Sequence, residues 1–323
     1  MKNSHKELHV IFGTGPVGLT LAEQLVTAGK QVRLVNRSGK GQAPAGAELV
    51  AGDGLQSEVV RTLCQGATAV YHCANVSYEQ QVVVIPRLQE SMIEGIAPTG
   101  AKLIVTDTLY MYGQTQGQVM KESSPYAATT RKGQMRARVA ETYLKAHREG
   151  KVRVALGRSA DFFGPRVLNS ALGDRVFPAA LAGKSIQLLG NIDLPHSYSY
   201  MGDVARTLAL LGERDEALGK AWHVPVVTPV VTQREMAQLI GNVLGKPVHM
   251  QTFPKIALQA AGLFNPIMHE MVEMFYQYTE PQIVDASAIE QAFGLHATPL
   301  DEAIRATIQW YQEQQINASS VSV

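Results

Sequence analysis

The chain has 323 residues, 46% of them hydrophobic and 18% charged, enough to bury one large core or two fused ones. With 29 basic and 28 acidic residues its net charge is +1, so no global field draws it to nucleic acid or to a membrane surface. Residues 1–7 are polar, no run reaches membrane-spanning length, and Cys64 and Cys73 are too few for a disulfide framework; a cytoplasmic protein with buried, unreactive thiols is expected.

The first apolar run, 8–12, has the length and composition of a buried strand and ends in Gly13-Thr14-Gly15-Pro16-Val17-Gly18. Gly13 permits a tight turn, Gly15 has no side chain to block a pyrophosphate, and Gly18 lets the next helix pack against the strand. Amides at the start of that helix can hold phosphates. Val17, Leu21, Leu25 and Ala28 share one helix face, Gly29 stops the helix, and 31–35 supplies the next strand. The glycine pattern therefore has the strand, helix and second strand that a dinucleotide site requires. After the second strand comes Asn36-Arg37-Ser38, with Lys40 nearby. An acid here would accept hydrogen bonds from a free ribose and repel a 2′-phosphate. Neutral Asn36 with Arg37 and Lys40 instead favours NADP over NAD, because a guanidinium donates two parallel hydrogen bonds to phosphate. The alternative reading of Arg37 and Lys40 is a pair of solvated loop charges.

The alternation continues with a strand at 48–51, a helix at 56–64, a strand at 69–73, a helix at 83–96 ended by Pro98-Thr99-Gly100, a strand at 102–105, a helix at 133–149 and a strand at 152–156. Strands alternating with helices predict an α/β fold, a doubly wound parallel sheet covered on both faces. Beyond about Asp161 the alternation fails, and short runs broken by Gly and Pro suggest a second, smaller lobe. Within it, 235–244 is an amphipathic helix with Thr232 as N-cap and Gly245-Lys246-Pro247 as stop, and Leu300, Ala303, Ile304, Thr307, Ile308 and Tyr311 form another helical stripe. Residues 318–323 read as a loose tail.

The order of these motifs resembles the extended short-chain dehydrogenase/reductase family, also called the NAD-dependent epimerase/dehydratase family. Gly13 to Gly18 is similar to its cofactor turn, Gly52-Asp53 to the acid that meets the adenine, and Tyr71-His72-Cys73-Ala74-Asn75 to its fourth-strand motif. Thr106-Asp107-Thr108-Leu109-Tyr110-Met111-Tyr112-Gly113 resembles the strand carrying the active-site Ser or Thr. Arg158-Ser159-Ala160-Asp161-Phe162-Phe163-Gly164-Pro165 resembles the segment entering the substrate lobe, and His196 to Ala205 the segment returning to the sheet. The resemblance implies a Rossmann-type domain over 1–160 and a mainly substrate-binding lobe over 161–323, with about 196–225 returning to the first domain. It implies cofactor contacts from Gly13, Thr14, Gly15, Pro16, Val17, Gly18, Asn36, Arg37, Ser38, Lys40, Asp53, Gly54, Cys73, Ala74, Asn75, Thr106 and Lys132, and substrate contacts from Asn75, Phe162, Phe163 and Tyr198. A homodimer through the helices at 83–96 and 133–149 is implied by analogy.

In that family a Ser or Thr orients the reacting oxygen, a Tyr four residues before a Lys moves the proton, and the Lys holds the nicotinamide ribose. Thr108 matches the first and Lys132 the last, but the residue four before Lys132 is Ala128. Alanine cannot exchange a proton, so the pattern resembles an atypical subgroup with an incomplete tetrad. Tyr126 and Tyr110 are the stand-in candidates; strand alternation would put Thr108, Tyr110 and Tyr112 on one face. Tyr126 also reads as a packed aromatic, Tyr112 as structural, and Lys132 as a solvated charge in a basic helix face with Arg131, Arg136 and Arg138. Nine scattered histidines show no metal-ligand spacing, and there is no P-loop or nucleophile elbow.

Three functions follow as expectations. The first is an NADP-dependent oxidoreductase reducing a carbonyl or activated double bond in a small, partly apolar molecule. The second is a sugar-nucleotide epimerase or dehydratase, against which the missing tyrosine counts. The third is a non-catalytic, NADP-binding redox sensor.

Overall fold

A computed structural model describes residues 7–321. The polar start, 1–6, and the last two residues of the expected tail lie outside them. Strands run β1 (Leu8–Phe12), β2 (Gln31–Asn36), β3 (Ala47–Ala51), β4 (Ala67–His72), β5 (Lys102–Asp107), β6 (Arg153–Arg158), β7 (Asp161–Phe163), β8 (Ile186–Leu189), β9 (Tyr198–Tyr200), β10 (Ala221–His223) and β11 (Met250–Phe253). Helices run α1 (Pro16–Thr27), α2 (Ser57–Leu63), α3 (Gln81–Ile96), α4 (Arg131–Arg148), α5 (Phe177–Leu181), α6 (Met201–Glu213), α7 (Gln233–Leu244), α8 (Lys255–Gly262), α9 (Pro266–Met274), α10 (Ser287–Phe293) and α11 (Leu300–Val321).

The chain divides into two interleaved units. The first holds residues 1–111, 131–158 and 204–222; the second holds 112–130, 159–203 and 223–323. A seven-stranded sheet in the order β10-β6-β5-β4-β1-β2-β3 organises the first, giving the Rossmann-like α/β fold. Its strands read as near-continuous apolar runs because helices cover both faces: Val10, Ile11, Leu34, Val70, Leu103, Ile104 and Leu156 are fully inaccessible. The order reverses beside β1, where β4 and β2 flank it on opposite sides in parallel register. Ligands of open α/β sheets bind at the strand ends of such a reversal. The glycine turn follows β1 there.

In the second unit the strands are too short to show a period. β7 pairs β9 and β11 pairs β8, each as a two-stranded parallel ladder. The unit's core collects Phe163, Val176, Phe177, Ile186, Leu188, Met236, Ile240, Ile304 and Ile308. The expected helix at 235–244 begins slightly earlier, and Thr232 caps it in a full capping box: its hydroxyl accepts from Glu235 N while the Glu235 carboxylate accepts from Thr232 N. The expected loose tail is a correction in part, since α11 continues through Val321.

Candidate active site

Within the first unit the glycine turn is built by steric demand. Gly13 has φ +110°, and a Cβ there would lie 2.7 Å from Ala74 N and from Cys73 C and O. Only glycine fits so close to the end of β4. A Cβ at Gly18 would sit 1.9 Å from the Gly13 oxygen, so the helix–turn contact also excludes any side chain. Gly15 differs: it is exposed, and its Cβ position has nothing within 4 Å. No packing among the described residues requires glycine at this position, the start of α1. That helix has Pro16 in its first turn and no side-chain cap, so its leading amides face no protein acceptor from a capping residue. The arrangement fits a pyrophosphate.

Asn36 ends β2 and organises the loop after it. Its Oδ1 accepts from Ser38 N (3.1 Å), Ser38 Oγ (3.2 Å) and Gly39 N (2.7 Å), while Nδ2 donates to Thr14 Oγ1 (3.2 Å) and Lys40 O (2.9 Å). A carboxylate could make none of the Nδ2 bonds. The amide thus ties the 36–40 loop to the glycine turn and leaves Arg37, Ser38 and Lys40 exposed. Asp53 uses Oδ1 on Leu55 N at 3.0 Å, a turn-forming bond. Gly54 packs under Met92, and Ala74 and exposed Asn75 lead away from β4. Thr106 Oγ1 donates to Cys73 Sγ at 3.5 Å, and burial pushes the Cys73 thiol up to about 12. Both cysteines are free thiols.

The segment after β5 departs from expectation. The strand stops at Asp107 and residues Tyr110–Tyr112 form a 3₁₀ turn, so the alternation expected to align Thr108, Tyr110 and Tyr112 does not exist. The Thr108 hydroxyl accepts from Tyr110 N at 3.5 Å, a local bond that competes with further strand. Asp107 and Arg158, opposite one another on β5 and β6, make a 3.0 Å ion pair with side chains 3% and 0% exposed. It fastens the strand end that presents Thr108, and no spacing rule pointed to it.

Lys132 is not a solvated charge. It is wholly inaccessible, as Arg136 nearly is, whereas Arg131 and Arg138 are exposed; the expected basic helix face is therefore a correction. The Lys132 Nζ lies 4.6 Å from the centre of the Tyr78 ring, a cation–π contact. Tyr78 was not among the expected site residues, since it precedes Lys132 by half the domain and belongs to no motif. At the end of β4, His72 Nδ1 is hydrogen-bonded to Tyr143 Oη at 2.9 Å.

The second unit contains the remaining expected residues. Tyr112 is buried, with its hydroxyl 2.7 Å from His223 Nε2 and its ring edge-on to Tyr126 at 6.1 Å. Gly113 has φ +69°, and a Cβ there would approach Ala128 Cα to 2.7 Å. Phe162 is half-buried, but Phe163 is 1% exposed and Tyr198 6%, both in the unit's apolar core. Among the described residues no His, Cys, Asp or Glu cluster could hold a metal ion.

The model of the NAD-dependent epimerase/dehydratase family matches residues 10–224, about two thirds of the chain. The chain belongs to that family. No curated protein matches its sequence. Solved structures share the family fold at low identity. An epimerase from Methanothermobacter thermautotrophicus superposes with a TM-score of 0.81 at 16% identity, covering 98% of this chain and 95% of its own. dTDP-glucose 4,6-dehydratase from Bacillus anthracis, solved with NAD, gives 0.77 at 14% identity, covering 95% and 97%. UDP-N-acetylglucosamine 4-epimerase from Methanobrevibacter ruminantium, solved with UDP-N-acetylmuramic acid, gives 0.78 at 16% identity, covering 96% and 99%. No helix among the described residues of this family member is long and apolar enough to cross a membrane.

Proposed function

We propose that this family member is a nicotinamide-dependent oxidoreductase that prefers NADP and reduces a carbonyl or activated double bond in a small molecule. The observation that carries the reading is Gly15: exposed, unconstrained by packing, and set at a helix start without a side-chain cap. The bound cofactor would supply the hydride. Gly13 to Gly18 would hold its pyrophosphate, Arg37 and Lys40 its 2′-phosphate, and Asp53, Gly54, Cys73, Ala74, Asn75 and Thr106 would flank it. Lys132 would hold the nicotinamide ribose, and Thr108 would hydrogen-bond the reacting oxygen of the substrate. Ala128 takes the place of the usual proton donor, which leaves Tyr110, Tyr126 or water for that task. Free Cys64 and Cys73 fit a reducing compartment such as the cytoplasm.

A second reading, sugar-nucleotide epimerase or dehydratase, draws on the dTDP-glucose 4,6-dehydratase and the UDP-N-acetylglucosamine 4-epimerase, whose folds match almost the whole chain. The assay that separates the two follows NADPH oxidation against a panel of aldehydes, ketones and enones, beside turnover of UDP- and dTDP-sugars. The first reading expects NADPH consumption, reduced at least about tenfold in Thr108→Ala and Lys132→Ala. Sugar-nucleotide turnover without NADPH consumption would replace it by the second.

A further inference from the structure

In the first unit a tyrosine and a lysine far apart in sequence meet at one edge of the sheet. Helix α3 returns the chain from β4 to β5, α4 returns it to β6, and these strands are parallel, so both helices begin at the edge where the strands end. The chain leaving β4 first passes the glycine turn, where Cys73 and Ala74 pack against Gly13. It then folds on itself: Asn75 Oδ1 accepts from Val76 N at 2.9 Å and from Gln81 Nε2 at 3.4 Å, and Gln80 N donates to Ser77 O at 2.9 Å. This braced turn carries Tyr78. Lys132 is the second residue of α4, and a bond from Gln89 Nε2 of α3 to Val139 O of α4 ties the two helices together.

Lys132 stands where a cation is disfavoured. The start of a helix carries partial positive charge, Arg131 precedes the lysine, and the first turn of α4 has no acidic residue. The Lys132 side chain is also wholly inaccessible, and a buried ammonium is costly unless its surroundings compensate. The Tyr78 ring offers the negative potential of its face, with its centre 4.6 Å from Nζ. A carboxylate in its place would bind the ammonium as an ion pair and occupy its N–H donors; an aromatic face attracts the charge and leaves donors for hydroxyl oxygens. Tyr78 is half-buried, so the contact reaches from the interior towards the surface. A residue set against its local electrostatics and held by a ring from a braced turn is the kind of conflict that marks a working site.

We propose that Tyr78 is a positioning residue of the cofactor site: its ring face fixes the Lys132 ammonium at the point from which it bonds the nicotinamide ribose hydroxyls. The inference rests on the reading of Lys132 as the ribose-holding lysine.

Calorimetric titration of the full chain with NADPH, and with adenosine 2′,5′-bisphosphate, which carries the adenine and the 2′-phosphate but no nicotinamide ribose, tests it. Tyr78→Phe keeps the ring face and is expected to bind NADPH within about twofold of wild type, whereas Tyr78→Leu is expected to weaken it at least about threefold. Both are expected to bind the bisphosphate as wild type does, which also shows that their fold is intact. Lys132→Met is expected to weaken NADPH binding at least as much as Tyr78→Leu, and the double variant to bind no more weakly than Lys132→Met alone, because the two losses are one interaction. Unchanged NADPH affinity in Tyr78→Leu, losses that multiply in the double variant, an equal loss of the bisphosphate, or a loss in Tyr78→Phe as large as in Tyr78→Leu would each overturn the inference. Where Lys132→Met is still impaired, the inference alone fails; where Lys132→Met binds NADPH as wild type does, the ribose role of Lys132 fails with it.

Discussion

Two glycines of one turn are held by opposite causes, and the same substitution separates them. At Gly18 a methyl would overlap the Gly13 carbonyl, so Gly18→Ala must displace the turn or the helix and is expected to lower stability by about 2 kcal/mol or more, in the range of overpacked core sites. At Gly15 the same methyl meets no protein atom and the backbone, at φ −78°, is ordinary. Gly15→Ala is expected to leave the melting temperature within about 2 °C and to weaken NADPH binding at least about tenfold. Paired thermal melts and fluorescence titrations of the two variants check both statements. The glycine spacing was legible in the sequence because it repeats a local geometry. The buried Lys132–Tyr78 contact was not, since a ring brought in from a distant loop leaves no trace in spacing.

The elements of the first unit were legible for the same local reason: long apolar runs and helical stripes survive any tertiary arrangement. Their ends were less so. β5 stops where Thr108 turns its hydroxyl on its own backbone, and the Asp107–Arg158 pair that anchors that end joins two strands. In the second unit β7 and β9 have three residues each and pair only with one another, so neither alternation nor length betrays them. Helix α7 is the exception, because a capping box is a sequence signature as well as a structure. Thr232→Ala removes the hydroxyl that accepts from Glu235 N and is expected to cost about 1 kcal/mol. Urea unfolding monitored by circular dichroism reads that change, and Thr232→Ser is expected to recover most of it.

Across the molecule, stability should carry the mark of buried neutral histidine. Burial, helped by the Arg136 charge, brings the His72 pKa down to about 4 from an ordinary 6.5. As pH falls below about 6.5 the unfolded chain protonates His72 while the folded chain resists until about 4. The unfolded state therefore binds more protons in that window, and the native state loses stability through it, by up to roughly 3 kcal/mol. His72→Gln should flatten this part of the urea-derived stability profile; an unchanged slope would remove His72 as its source. The central claim concerns the first unit, whose turn and 36–40 loop are read as a site for a 2′-phosphorylated dinucleotide. Titration of intrinsic fluorescence with NADPH and NADH, on wild type and Arg37→Ala, tests it most directly. Wild type is expected to bind NADPH at least about tenfold more tightly than NADH, and Arg37→Ala to lose about one charge-assisted contact toward NADPH while keeping its affinity for NADH. Equal affinities in wild type, or tighter binding of NADH, would contradict it.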